Sequence, residues 1–277
     1  MFKLKFHFFG IGDLVATTSI PENIFNAVGK YCVITEDQEK MWPFKHNPYV
    51  VWMSEEEAKD LEQFDLIPDC RIQFQSNNYF ELMKCDVSNS QTEYMCVQFG
   101  FNKINLRHPR LYQFEDSKIV PNKIIVHTTG SDRTKLNEPA IRVKSGEDHL
   151  RILSDEVIDS ILKNYEDYEI IQIGGNDDKP LGGHSKNLCG KLDYWEVAKE
   201  ISSSAKFIGV NSGPMHIANC YPRVEKRIVL MEFPIKPILF YRPGSIKNWL
   251  FSWVDPSYVF FNRFHHDVGI SFSHTKI

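Results

Sequence analysis

"FIGVNSGPMHIANC" (residues 207–220) leaves an apolar run of strand length, crosses a small polar turn and enters a helix. Val210 closes the strand, Asn211 or Ser212 can cap the helix, and Gly213 lets the backbone approach a ligand closely. Pro214 suits the first helical turn, where its missing N–H is no loss. A helix that starts at a strand terminus presents unpaired amides and the positive end of its dipole, so a phosphate can bind there without any side-chain charge. His216 can add a donor to the same anion. A well-capped strand–helix turn with a partly buried histidine suits the same residues.

"KIIVH" (123–127), "EIIQI" (169–173), "KFIGV" (206–210) and "RIVLM" (227–231) are apolar runs of strand length. Val157, Ile158, Ile161, Leu162 and Tyr165 share one face at helical spacing between the first two, as do Tyr194, Val197, Ala198, Ile201 and Ala205 between the next two. Buried strands alternating with amphipathic helices predict a parallel sheet with helical crossovers, that is, a Rossmann-like domain. The N-terminal half opens in the same way: "KLKFHFF" (3–9) as a strand, "GIGD" (10–13) as a turn, then a helix from Leu14 to about Ala27, with "YCVIT" (31–35) and "YVVWM" (49–53) as further strands. "RIQFQ" and "MCVQFGF" read as additional strands or helix fragments. The polar stretch "QFEDSKIVPNK" marks the boundary. The expected fold class is therefore α/β, with a Rossmann-like domain over 1–120 and a second over 121–277. Such tandems usually enclose a cleft faced by the C-terminal ends of the strands, so chemistry is sought in the loops after strands.

Three more loops qualify. After "KIIVH", the segment "TTGSDRTK" offers Thr129, Ser131, Arg133 and Lys135, hydroxyls and cations that can orient and neutralise phosphate oxygens. In "IGGNDD", Gly174 and Gly175 end a strand and allow a tight turn or close ligand contact. Leu192, ahead of the next helix, can offer an apolar face to a nucleotide base or pack in the core. In the N-terminal half Asp13 is the carboxylate of the first strand–helix loop. It can serve as an N-cap or as a general base toward an acceptor hydroxyl.

Composition removes other classes. The 277 residues are 42% apolar and carry a net charge of -4 with a pI near 6.2, so no positive field draws nucleic acid. The six cysteines form no CxxC pair and lie at no zinc-ligand spacing, which fits free thiols in a reducing compartment. The apolar start is too short for a signal peptide and no stretch reaches a membrane span, so a cytoplasmic protein is expected. No two aspartates are separated by one residue, so the metal-holding Asp-x-Asp pair is missing. The adjacent His265, His266 and Asp267 do not converge on one ion. "GIGDLV" fails the dinucleotide fingerprint, and there is no P-loop. Neither a metal nor a cofactor is expected.

Together "GIGDLVATTSIP", "VHTTGSDRTK", "IGGNDD" and "GKLDYWEVAKEISSSAKFIGVNSGPMHIA" resemble the heptosyltransferase-like glycosyltransferases, glycosyltransferase family 9, through about Pro222. The resemblance implies a GT-B fold with a nucleotide-sugar donor on the C-terminal domain, an acceptor mainly on the N-terminal one, and metal-independent inversion at the sugar carbon. It implies Asp13 as catalytic base, Thr129 and Ser131 with Lys135 or Arg133 at phosphates, and Gly175 in the nucleotide-sugar site. Leu192 would pack on the base, and Ser212, Gly213 and His216 would form the diphosphate turn. The implied reaction moves a sugar, heptose being one candidate, from a nucleoside diphosphate to a cell-surface glycan or glycolipid (lipopolysaccharide, lipooligosaccharide or capsule) at the inner face of the cytoplasmic membrane. Asn211 departs from the pattern, which usually has aspartate there. The aromatic tail "NWLFSWVDPSYVFFNRFHHD" (248–267) suits a helix crossing back to the first domain or a peripheral membrane contact. Two rival functions share the plan: a nucleotide-sugar epimerase, and a silent binder of nucleotide sugars or glycans.

Overall fold

The computed structural model describes residues 1–7, 10–66, 109–130, 152–210, 212–229 and 259–261. The segments "RIQFQ" and "MCVQFGF" fall outside them. Among the described residues the chain divides between Gln113 and Phe114 into two compact units.

In the first unit, β1 (Phe2–Phe6), β2 (Cys32–Ile34), β3 (Val50–Trp52) and β4 (Gln63–Leu66) form a parallel sheet in the order β3-β2-β1-β4. Leu4, Phe6, Leu14, Ile24, Ile34 and Phe44 meet in one core, which holds helices α1 (Ile11–Ala16) and α2 (Ile20–Val28) to the sheet. The single helix expected from Leu14 to Ala27 is thus two. The first begins earlier, with Gly10 as N-cap and Gly12 and Asp13 inside its first turn, so "GIGD" is no free turn. The break follows from the hydroxyls of Thr17 and Thr18, which donate to the carbonyls of Leu14 and Val15 at 2.9 and 2.8 Å, together with Pro21, which suits the start of a new helix.

In the second unit, β5 (Val120–His127), β6 (Glu169–Ile173), β7 (Lys186–Asn187), β8 (Ser204–Val210), β9 (Glu225–Val229) and β10 (Val259–Phe261) are all parallel, in the order β10-β9-β8-β5-β6-β7. The chain runs outward from β5 to one edge, then crosses back and runs outward to the other. This is the doubly wound arrangement, whose topological switch lies between β5 and β8. Helix α3 (Asp155–Asn164) is capped by Ser154, whose Oγ accepts from Val157 N–H, and it buries Val157, Ile158 and Ile161 as the spacing predicts. Helix α4 (Tyr194–Ser202) starts on a reciprocal capping box between Asp193 and Glu196, both hydrogen bonds measuring 2.8 Å. Two members of its expected stripe depart: Tyr194 is 47% exposed and Ala205 belongs to β8. Helix α5 (Gly213–Asn219) follows β8. The α/β class with two parallel, Rossmann-like units is the observed one.

Candidate functional site

A doubly wound sheet splays its strand ends apart at the switch point, and the crevice there takes ligands. In this unit the switch is flanked by the C-terminal ends of β5 and β8, where His127 stands beside Gly209 in register. Ser212, the first described residue after β8, is the N-cap of α5, yet its side chain makes no capping bond. The helix gives it no taker: Pro214 has no N–H, and Met215 N–H is donated to the Ser212 carbonyl at 3.1 Å. Ser212 Oγ instead lies 2.9 Å from His127 Nδ1, and both residues are buried. Gly213 is half-buried, so its first-turn amide sits near the surface of this corner. His216 is buried within α5. Asn211 lies outside the described residues, as do Ser131, Arg133 and Lys135.

The loop after β5 is pinned to the loop after β6 by a dense set of hydrogen bonds. Fully buried Gln172 donates to Thr128 Oγ1 at 3.1 Å and to the Lys179 carbonyl at 2.9 Å, and accepts from Leu181 N–H at 2.7 Å. Thr128 donates to the same carbonyl at 2.6 Å, and half-buried Thr129 accepts Lys179 N–H at 2.9 Å. The Lys179 ammonium is held by the Leu153 carbonyl at 2.9 Å and the Asp155 carboxylate at 2.7 Å. Thr129 thus follows β5 at the C-terminal end of the sheet, as Ser212 follows β8, and its oxygen accepts Lys179 N–H and lies 3.4 Å from Thr128 Oγ1.

The glycines of "IGGNDD" have separate tasks. Gly174 has φ +145°, and a Cβ there would stand 1.9 Å from Asp178 Oδ2. Its bareness lets the Asp178 carboxylate fold under the loop to within 3.3 Å of His127 Nε2. That oxygen is buried and receives no hydrogen bond among the described residues. Gly175 faces the other carboxylate oxygen, with 3.3 Å between Oδ1 and the place of its Cβ. Gly190 lies against Asn176 in the same way and donates its N–H to the Gly174 carbonyl at 2.8 Å. Buried Cys189 has its thiol pushed up to about 11, first by burial and then by the Asp178 charge, so it stays protonated at neutral pH. Leu192 is half-buried, one residue before the Asp193 cap that fixes the start of α4.

Asp13 falls at the third position of α1, just beyond β1 in the first unit, and the N-cap of that helix is Gly10, not Asp13. Sequence reasoning missed His127 and Asp178. His127 was legible as the last residue of an apolar strand, but its hydroxyl partner lies 85 residues further along. Among the described residues no group of three His, Cys, Asp or Glu side chains is placed to hold a metal ion, and no helix is long and apolar enough to cross a membrane.

No protein-family model matches the sequence, and no curated protein is similar to it at a significant level. Solved structures are similar in fold. A family 9 glycosyl transferase from Veillonella parvula superposes with TM-score 0.58 at 13% identity, covering 94% of this chain and 85% of its own. The ADP-heptose lipopolysaccharide heptosyltransferase II of E. coli superposes with TM-score 0.57 at 9% identity, over 94% of this chain and 90% of its own. TibC, a dodecameric iron-containing heptosyltransferase solved with ADP-D-β-D-heptose, gives TM-score 0.56 at 15% identity, over 99% and 67%. This chain has the fold of the heptosyltransferase-type glycosyltransferases.

Proposed function

We propose that the protein is an inverting glycosyltransferase that takes a sugar from a nucleoside diphosphate and places it on a cell-surface glycan or glycolipid. What supports the reading is that Thr129 follows β5 and Ser212 and Gly213 follow β8, neighbouring parallel strands at the switch point of a fold shared with enzymes whose names specify ADP-heptose. In this reading Thr129, Ser212 and Gly213 donate to the diphosphate, with His216 of the same helix beside them, while Ser131 and Arg133 or Lys135 from the loop after β5 add hydroxyl and charge. Leu192 packs on the base and Gly175 keeps the loop close to the donor.

Asp13 takes the proton of the acceptor hydroxyl as its oxygen forms a bond to the sugar carbon, and the bond from that carbon to the diphosphate breaks on the opposite face. The electron pair leaves with the diphosphate, whose charge the hydroxyls, amide and cations stabilise without a metal. Asn211, an amide in place of the usual carboxylate, changes the contact available to the donor sugar. A site at the inner face of the cytoplasmic membrane completes the reading, since the acceptor there is lipid-borne.

The test is a thermal-shift series with ADP, GDP, UDP and CDP, followed by transfer assays with and without EDTA. One diphosphate should raise the melting temperature, because a ligand of the folded state alone shifts unfolding. Asp13→Ala should abolish transfer and keep that shift. Absence of any shift rules the donor site out, turnover of a donor without acceptor points to an epimerase, and loss of transfer in EDTA removes the metal-free step.

A further inference from the structure

We propose that His127 is a positioning residue for Ser212, and that through it Asp178 acts on the diphosphate corner; this rests on the donor-site reading above. An N-cap serine normally gives its oxygen to an amide of the first helical turn, which fixes its rotamer. Here Pro214 removes one such amide and the Ser212 carbonyl takes the other, so α5 does not hold the hydroxyl. Two other groups do: His127 Nδ1, 2.9 Å from Oγ on an imidazole that is 4% exposed at the end of the central strand, and the Val210 carbonyl, which accepts from Oγ at 3.3 Å.

A buried imidazole needs partners for both nitrogens. Facing Nε2 is the Asp178 carboxylate, seated there by the bare Gly174 at an ion-pair distance of 3.3 Å and without a hydrogen bond among the described residues. The series Asp178–His127–Ser212 thus links the loop after β6, the end of β5 and the start of α5. With Nδ1–H donating to Oγ, the single serine proton is left to the Val210 carbonyl or, with a donor bound, to a phosphate oxygen.

Asparagine and glutamine separate the two nitrogens, since the asparagine amide falls near the place of Nδ1 and the glutamine amide near that of Nε2. With the nucleoside diphosphate giving the largest thermal shift, calorimetric affinity should fall about tenfold for Ser212→Ala, the size of one hydrogen bond to a charged group. It should fall equally for His127→Gln and stay within about threefold of wild type for His127→Asn. The double variant Ser212→Ala/His127→Gln should bind no more weakly than either single one. Wild-type affinity in His127→Gln, or a double loss near a hundredfold, overturns the proposal. If His127→Gln fails to fold, the contrast of Ser212→Ala with His127→Asn decides, and equal losses in those two overturn it. A wild-type protein that binds none of the four diphosphates sinks the donor-site reading and this one together, whereas binding that ignores position 127 sinks only this one.

Discussion

Asp178 occupies the space that a side chain at position 174 would need: Oδ2 stands 1.9 Å from where the Cβ of residue 174 would lie, and from there it reaches His127 Nε2 at 3.3 Å. Gly174→Ala must therefore evict the carboxylate while forcing a backbone with φ +145° onto a residue that rarely adopts it. Such strain with a displaced buried group costs roughly 2–4 kcal/mol. Urea unfolding should show a lowered midpoint with an unchanged slope. A loss below about 0.5 kcal/mol would mean that the loop after β6 holds the carboxylate elsewhere.

Thr128 and Thr129 are neighbours with opposite expected roles. Thr128 is fully buried and bridges Gln172 and Lys179, so Thr128→Val should cost about 1–3 kcal/mol of stability. Thr129 is half-buried at the strand edge, so Thr129→Val should lose less stability and weaken diphosphate binding about five- to tenfold. Calorimetry on both variants, alongside urea unfolding, separates them. An equal affinity loss in both would place the ligand elsewhere.

In the first unit, buried Glu22 on α2 accepts from one Arg110 guanidinium nitrogen at 3.0 and 2.9 Å and from the Tyr112 hydroxyl. Arg110 N–H also meets Thr18 Oγ1 at 2.9 Å, so the segment before the unit boundary is tied to the turn between α1 and α2. Glu22→Ala removes the acceptor these donors share and should destabilise by about 2–3 kcal/mol, moderated by the partial exposure of Arg110. Glu22→Gln should retain part of this. Equal stability of Glu22→Ala and wild type in urea would contradict the account.

Alkaline pH should unfold the protein early. Burial foremost raises the ionisation of Cys189 to about 11, and lifts the phenols of Tyr112 and Tyr221 well above the usual range, Tyr112 also through its bond to Glu22. Each raised group holds its proton in the folded state after the unfolded chain has lost it. The stability is therefore complete below the unfolded pKa and declines as pH rises: from about 9 to 11 for Cys189, and from about 10 upward for the tyrosines. The slope is about 1.4 kcal/mol per pH unit for each group. Cys189→Ser should flatten the first part of the decline, measured as urea midpoints between pH 8 and 11. A midpoint constant over that range would refute the shifts.

The strands and helices that the sequence announced are those with a buried face. β6 spans the predicted residues 169–173, and α3 buries the predicted face, because apolar periodicity reports burial. β7, two exposed polar residues at a sheet edge, and β4, "QFDL", carry no such signal, since backbone pairing with a neighbour defines them. The break after Ala16 was hidden because apolar residues recur on both sides of it, while Thr17 and Thr18 reach back only three residues, with amide and hydroxyl alike, to the Leu14 and Val15 carbonyls. At the proposed site, the loop position and residue type of Thr129, Ser212, Gly213 and His216 are visible in the sequence, and the affinity tests above decide whether they bind a donor. His127 and Asp178 were not legible as a pair, because their meeting depends on which strands become neighbours, a matter of topology.

The strand order also dictates a sequence of events on the ribosome. As the second unit emerges, β5, β6 and β7 can pair at once, but β5 keeps one open flank until β8 leaves the tunnel. For that interval a strand carrying the apolar run Ile124–Val126 shows a bare backbone edge, a template for intermolecular pairing. Slow translation between Asn187 and Ser204 would lengthen the exposure and should favour aggregation during synthesis.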